Sequence, residues 1–239
     1  LKLADVSPIF KKLERTLKLN YRPVSILPVV SKIFERLMHL QMSEYVEKYL
    51  SKYLCGFRKG ISTQHALLSL IENWKKNLDK NGFSGAIFMD LSKAFDTINH
   101  ELLIAKLHAY GFQKDALDIL MSYLSDRFQR EKVNTSFSTW TEILCGVPQG
   151  SVLGPLLFNL YLNDLFYILK ETEPCNFADD TTPYACGLDL QSVLRRLEND
   201  TLFAIIWFED NYMKLNENES HFLLSGHRRE HVWANVVLP

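Results

Sequence analysis

The stretch CNFADDTTPYA, Cys175 to Ala185, sets two adjacent aspartates between two runs that read as β-strand. Burying either charge is expensive unless it is paired or bound to a cation. The pattern therefore asks for a metal, or for solvent at a tight turn, and on its own it leaves both readings open. A second stretch, FSGAIFMDLS (83–92), reads as a short buried strand that carries Asp90 at its end. If the two elements are neighbours in one sheet, three carboxylates (Asp90, Asp179 and Asp180) converge. Such a cluster suits two divalent cations about 4 Å apart that serve the two ends of a phosphoryl displacement. Mg²⁺ prefers carboxylate, carbonyl and phosphate oxygens and needs few protein ligands. Without metal the clustered charges repel and raise one another's pKa.

Around these strands the pattern alternates between helix and strand. Apolar residues at Val29, Ile33, Phe34, Leu37, Leu40 and Val46 keep helical spacing after Pro28. A helix capped at Ser62 or Thr63 runs to Leu78 and stops at the KNG of 80–82. Further helices are expected over His100–Tyr110, Lys114–Asp126, Ser151 to about Lys170, and about Leu190 to Tyr212. FQREKVNTSFSTWTEILC (128–145) alternates as a hairpin, and short strands are expected at 220–225 and 231–237. The fold class is α+β, with helices on one face of a mostly antiparallel sheet. Residues 1–82 read as a largely helical lobe and 83–239 as a second domain.

The 239 residues suffice for a full core, with 47% hydrophobic and 23% charged residues. No apolar run approaches the ~20 residues needed to span a bilayer, and LKLADVSPIF has no signal-peptide core. The chain opens on Leu1, as a piece of a longer protein would. Cys55, Cys145, Cys175 and Cys186 form no C-x-x-C pair and read as reduced thiols. Residues 1–40 carry eight Lys/Arg against three Asp/Glu, which leaves the other 199 residues at −6. A basic arm ahead of an acidic body suits a polyanion at one end and a cation at the other, and equally a solvated helical surface. The seven histidines show no metal-ligand spacing, and no Walker or Rossmann glycine pattern occurs.

Three blocks in order, MDLSKAFDTINH (89–100), GVPQGSVLGPLLFNLYLNDL (146–165) and FADD (177–180), resemble the palm of reverse transcriptases. The resemblance is closest to non-LTR, LINE-like retroelements. NYRPVSILPVVSKIFERLM (20–38) and CGFRKGISTQHALL (55–68) are similar to that family's fingers segments, and residues 207–234 to its final palm segment. The resemblance implies a right-hand fold with fingers at 1–82 and palm at 83–239, allowing a fingers insertion around 112–145. The chain stops before the expected thumb, and the endonuclease and zinc segments frequent in such elements are absent from it.

Carried over residue by residue, the resemblance implies Asp90 and Asp179 as principal metal ligands, with Asp180 adjacent and the Leu91 carbonyl a further contact. Two Mg²⁺ ions are implied, with Mn²⁺ as a substitute. Phe95 matches the steric-gate position that rejects a ribose 2′-hydroxyl; without the family it reads as a core phenylalanine. Asp96 is expected to support its loop. Gly146, Gln149 and Gly150 of GVPQG are implied in substrate binding, where sequence alone also allows a loop that merely leads into a helix capped by Ser151. Arg58 and Lys59 are implied to grip a triphosphate, against the plain reading of a solvated basic loop, and Arg22 and Lys32 to meet template phosphates. The implied partners are an RNA template, a DNA primer and dNTPs, with no membrane, in the nucleus or cytoplasm.

One departure stands out. Glu219 occupies a position where family members often carry a lysine, a candidate acid for the pyrophosphate leaving group. It favours a rival reading, a degenerate remnant that at most binds nucleic acid. A second rival, an RNA-dependent RNA polymerase, is opposed by Phe95.

Overall fold

A computed structural model describes residues 2–11, 13–226 and 232–235. In chain order, strands β1 (Leu3–Phe10) and β2 (Tyr21–Ile26) precede helix α1 (Val29–Val46), which starts where Pro28 has no N–H to lose. Helix α2 (Thr63–Leu78) begins at Ser62, whose N–H is taken by His65 Nδ1 at 3.2 Å. Strand β3 (Phe83–Phe88) follows, then α3 (His100–Ala109), capped by Asn99 Oδ1 accepting the Leu102 N–H, and α4 (Lys114–Leu124). The expected hairpin forms β4 (Arg127–Val133), β5 (Ser136–Phe137) and β6 (Thr141–Ile143), with Asn134 at φ +54° in its first turn. Then come α5 (Gly154–Leu162), α6 (Leu165–Ile168), β7 (Glu173–Phe177), β8 (Asp180–Gly187), α7 (Leu190–Asp210), β9 (His221–Ser225) and β10 (Val232–Asn235).

Two expectations from sequence are corrected. The single helix over 151–170 is two helices, because Asn163 is buried and its Oδ1 accepts the Ser51 N–H at 2.6 Å, which turns the chain out of the helical ladder. Strands β1 and β2 were not expected at all. Pro8 and Pro23 hide them, and these two residues face each other in the register. The ladder from β1 to β4 ends at Val6, so Pro8 has no N–H to supply on that side.

The chain divides into two compact units: Leu1–Tyr49 with Phe95–Tyr161, and Leu50–Ala94 with Leu162–Pro239. This partition interleaves along the sequence, unlike the single fingers–palm boundary expected near residue 82. Among the described residues no helix is long and apolar enough to cross a membrane.

The first unit is built on a sheet in the order β2-β1-β4-β5, with β6 also on β4, antiparallel except for the β1–β4 pair. Its core joins Leu103 and Leu107 of α3, Leu120 and Leu124 of α4, and Leu157 and Phe158 of α5. Glu35 of α1 is fully buried, and its Oε2 accepts the Val152 and Leu153 N–H groups at 2.6 and 3.2 Å. The carboxylate thereby closes donors at the head of α5 that no helical carbonyl can reach.

The second unit holds a fully antiparallel sheet in the order β10-β9-β3-β8-β7. Helix α7 lies on the pleat that carries Gly85, where a Cβ would run into Leu197 and touch Val193, so the missing side chain sets how closely helix and sheet approach. Helix α2 is tied to the sheet by Asn77, which donates to Phe83 O and Ser84 Oγ, and by Asn73, which donates to Tyr184 Oη. Asp200 of α7 is 1% exposed and accepts three backbone N–H groups, Lys170, Glu171 and Thr172, together with the Thr172 hydroxyl. This carboxylate fixes the turn that delivers β7. Asp200→Ala leaves four donors without an acceptor and is expected to lower stability by about 3 kcal/mol in urea unfolding; a loss below about 1 kcal/mol would contradict the anchoring role.

Candidate active site

The β3–β8 register decides where the three aspartates meet. It pairs Phe83 with Gly187 through Ala86 with Tyr184, and the bridge between Met89 and Thr181 carries the same register forward. One residue further, Asp90 stands opposite Asp180. Met89 and Thr181 exchange both backbone hydrogen bonds, at 2.9 and 3.4 Å. The next pair is thus of the close, non-hydrogen-bonded kind, in which facing side chains approach most nearly. Directly opposed residues share a face, and by alternation this is the pleat opposite Gly85, the one to which Asn73 and Asn77 tie α2 at Tyr184 and Ser84.

Asp179 joins them through the turn. Phe177 pairs with Asp180, so Ala178 and Asp179 form a two-residue hairpin loop. Ala178 has φ +59° while Asp179 does not have a positive φ, the sign pattern of a II′ turn. A non-glycine residue in that region carries strain, and Asn176 supplies the restraint. Its buried Nδ2 donates to Ala178 O, Asp180 O and Thr181 Oγ1, each at 3.0 Å. Gly56 supplies a second restraint, since a Cβ there would overlap the Ala178 backbone nitrogen and Cα.

Asp90 is gripped from a third segment. Asn216 donates its backbone N–H to Asp90 O at 2.8 Å and its Nδ2 to Asp90 Oδ2 at 2.9 Å. Ser220 Oγ accepts the Asp90 N–H at 3.3 Å and donates to Asn216 O at 2.9 Å. The Leu91–Leu215 bridge uses the flanking Asp90 and Ser92 groups, which leaves the Leu91 carbonyl out of it. Partial burial of the carboxyl, then the charges of Asp179 and Asp90, raise the Asp180 carboxyl above the ordinary carboxylate range although the residue as a whole is exposed. Among the described residues no three His, Cys, Asp or Glu side chains are gathered into a metal-holding group. The carboxylates are within electrostatic reach of one another without forming a closed cage.

The other implied residues lie as follows. Lys59 is exposed, and Arg58 donates Nη1 to Ser51 O and Leu54 O at 2.8 and 3.0 Å, bracing the loop two residues beyond the Gly56 contact. Phe95, Gln149 and Gly150 belong to the first unit. There Phe95 stacks on the buried ring of Phe158 at 4.6 Å and 18°. Phe95 O accepts the Val147 N–H, and Ile98 O accepts the Gly146 N–H. Gly146, at φ +84°, rests so close to the Asp96 backbone that a Cβ would collide with it. Gln149 donates Nε2 to Asp96 Oδ1 at 3.0 Å, the supporting part expected of Asp96, and its carbonyl accepts the Ser25 N–H at 2.7 Å. Gly150 adopts φ +102° against the Ser25 carbonyl. Ser151 Oγ accepts the Gly154 N–H at 3.0 Å, inside the first turn of α5.

Sequence reading missed Asn176, Asn216, Ser220 and Gly56. Asn176 and Asn216 carried a signal, since an asparagine inside a strand-like run and another beside a carboxylate segment are costly unless bonded. The contact at Gly56 needs coordinates to be seen.

Comparison with known proteins places this geometry. A family model described as reverse transcriptase (RNA-dependent DNA polymerase) matches residues 10–230. The chain is 36% identical over 148 residues to a probable RNA-directed DNA polymerase from transposon BS of Drosophila melanogaster, covering 61% of this chain and 16% of that one. It is 35% identical over 187 residues to the corresponding protein of the X-element of the same species, covering 75% and 20%. The chain thus spans a fifth or less of the length of these relatives. In three dimensions it is similar to the telomerase of Candida tropicalis, solved with a fragment of telomeric RNA, at a TM-score of 0.68 and 10% identity, over 94% of this chain and 41% of that one. That likeness concerns the fold, a right-hand polymerase arrangement of antiparallel sheet and helices. With the family model running through all three carboxylates and both flanking regions, the chain belongs to the reverse transcriptase family.

Proposed function

We infer that this chain is the fingers–palm portion of an RNA-directed DNA polymerase of a non-LTR retrotransposon, with fingers at 1–82 and palm at 83–239. The reaction is addition of dNTPs to a DNA primer 3′-end on an RNA template. The observation that supports it most is the register that sets Asp90 opposite Asp180, with Asp179 in the adjoining turn. The transposon names of the two Drosophila relatives support the element class. Work on chromosomal DNA, in the nucleus or starting from the cytoplasm, follows from that class.

The donor set fits hard divalent cations. Three carboxylates that raise the proton affinity of one of their number, and a backbone carbonyl left out of its bridge, offer oxygen ligands and unbalanced negative charge. Asp90 and Asp179 would hold Mg²⁺ or Mn²⁺, with Asp180 and the Leu91 carbonyl beside them. Bound there, a cation pair would lower the pKa of a 3′-hydroxyl and offset charge on departing pyrophosphate. The chain's own contribution is position. Asn216 and Ser220 hold the Asp90 main chain while Asn176 holds the turn, so little reorganisation is needed as charge develops. Phe95, kept in place by Phe158, would reject a ribose 2′-hydroxyl, and Gln149, oriented by Asp96, would hydrogen-bond substrate or template. Arg58 and Lys59 would meet the triphosphate, Arg58 through whatever its loop-bracing Nη1 leaves available.

The rival reading, a non-catalytic remnant that binds nucleic acid, is favoured by Glu219. Its side chain is exposed and its N–H is given to Asn216 O in the very turn that grips Asp90. A carboxylate there is a poor proton donor to a phosphate leaving group.

Millimolar Mg²⁺ is expected to raise the melting temperature of the chain by several degrees through mass action. Asp90→Asn should remove most of that shift, and an equal shift in both proteins would count against metal binding at these residues. The proton linkage of Asp180 gives a metal-free test. Its folded pKa lies above the unfolded value near 3.9, so the folded state holds the proton more tightly, and stability declines as pH rises from that value through the folded pKa. Asp180→Asn should flatten this decline and stabilise the metal-free chain at pH 7, as read by urea unfolding across pH; a steeper decline would contradict the repulsion. In primer extension on an RNA template with Mg²⁺ or Mn²⁺, Asp179→Asn is expected to reduce product at least about 10³-fold. Phe95→Ala should raise ribonucleotide incorporation. Tight nucleic-acid binding with no product in any variant would favour the remnant.

A further inference from the structure

The sheet of the first unit buries one face, with Ala4, Val6 and Arg127 in the core, and leaves the other to solvent. The register fixes what stands on the open side. Asp5 lies opposite Arg130, Lys132 opposite Phe137, and Phe128 opposite Glu142, so by alternation these side chains share that face. Between β5 and β6 the pairing then slips by one. Phe137 pairs with Lys132 and Thr141 with Gln129, so Ser138, Thr139 and Trp140 span the two positions Arg130 and Glu131. The extra residue is a β-bulge closed by Ser138, which donates its N–H to Glu131 O at 3.0 Å, accepts the Glu131 N–H on Oγ at 2.9 Å, and donates Oγ to Thr139 O at 3.0 Å. Strict alternation would send Trp140 to the side away from Phe137. With the bulge both rings meet Arg130, whose guanidinium carbon lies 4.0 Å from the centre of Phe137 and 4.5 Å from that of Trp140.

The cluster is accessible. Phe137 is 47% and Trp140 42% exposed. Arg130 covers one side of each ring, so this exposure comes from the other. The Arg130 side chain is itself 28% exposed; Nε donates to Asp5 Oδ1 at 2.7 Å, while Nη1 and Nη2 make no hydrogen bond and reach solvent. Lys132 Nζ lies 5.5 Å from the Phe137 ring and has neither a hydrogen-bond nor an ion-pair partner. Arg22, opposite Ile9 at the far end of β2, adds a third cation to this face. The acids on it are Asp5, already held by Arg130 Nε, and Glu142; Glu131, opposite Val6, belongs to the other face.

We propose that this corner of the sheet binds single-stranded nucleic acid, with a base stacked on the open side of the Trp140 indole and a neighbouring phosphate on the Arg130 Nη groups and Lys132 Nζ. A nucleotide is the complement of such a surface, since it joins a flat π-face to phosphate oxygens. A duplex keeps its bases stacked on one another and has no bare face to offer. An apolar protein surface would cover the rings and leave the free Arg130 and Lys132 donors without acceptors. The site lies wholly in the first unit and shares with the polymerase reading only the class of its ligand.

Fluorescence anisotropy of the whole chain with a labelled oligouridylate of about 12 nucleotides tests this, in EDTA so that no cation sits at the aspartates. An abasic oligomer of equal length keeps the phosphates and lacks the bases. It is expected to bind at least about 10-fold more weakly, as is the oligouridylate paired with oligoadenylate. Trp140→Ala should weaken the single strand about 10-fold and Trp140→Phe much less. Lys132→Gln should weaken it and lower the slope of its salt dependence by about 1. With 5-iodouridine in the strand, irradiation should cross-link it at Trp140 or Phe137. Equal binding of the abasic oligomer, unchanged affinity in Trp140→Ala, or a cross-link confined to the second unit would overturn the assignment. So would a Trp140-dependent dimer in sedimentation with no oligonucleotide bound, which would make a protein surface the occupant. Because the measurement excludes metal, a chain that extends no primer can still pass it, and one that extends a primer can still fail.

Discussion

Like-charge repulsion is the constraint around which the second unit is arranged. Asp90, Asp179 and Asp180 lie on strands whose register leaves them no freedom to separate, because a slip of one residue would carry Asp90 to the opposite face, under α7. The fold answers the repulsion with rigidity. Polar neighbours hold the backbone of the aspartate segments or orient a carboxylate oxygen: Asn176 on the turn, Asn216 and Ser220 on Asp90. An arrangement that stores unfavourable charge and simultaneously fixes its coordinates is suited to meeting cations and phosphates, and poorly suited to mere stability.

The same device recurs where no chemistry is expected. Glu35 closes the N–H groups ahead of α5, Asp200 gathers the turn before β7, and Asn163 divides α5 from α6 by accepting a distant N–H. Each is a buried polar side chain spent on irregular backbone that has no ladder of its own. These irregular segments are therefore not loosely attached. They are stapled from elsewhere in the sequence, by residues more than twenty positions away in all three cases.

Much of this was legible in the sequence. Helical spacing after Pro28, the Ser62 cap and the alternation before FADD were enough to foresee α1, α2 and the β7–β8 hairpin, and the order of the motifs gave the family. The two strands at the N-terminus escaped because Pro8 and Pro23 argue against strand locally, while what admits Pro8, a β1–β4 ladder that ends at Val6, is a property of pairing and not of local pattern. Asn163 escaped because its hydrogen-bond partner is Ser51. In the site, the aspartates were readable as a costly cluster, while their supports were not: the worth of an asparagine at 216 depends on Asp90, 126 residues earlier, arriving beside it. Arg58 was read for its charge, and its bonds to Ser51 and Leu54 give it a bracing duty that composition does not disclose.

The contact between Gly56 and Ala178 is main chain against main chain. Side chains ordinarily act as cushions between segments, changing rotamer when one of them shifts. Here the spacing between the loop that carries Arg58 and Lys59 and the turn that carries Asp179 is set by backbone alone on the Gly56 side. A side chain at position 56 would therefore have to displace the turn itself, and no rotamer change could absorb it.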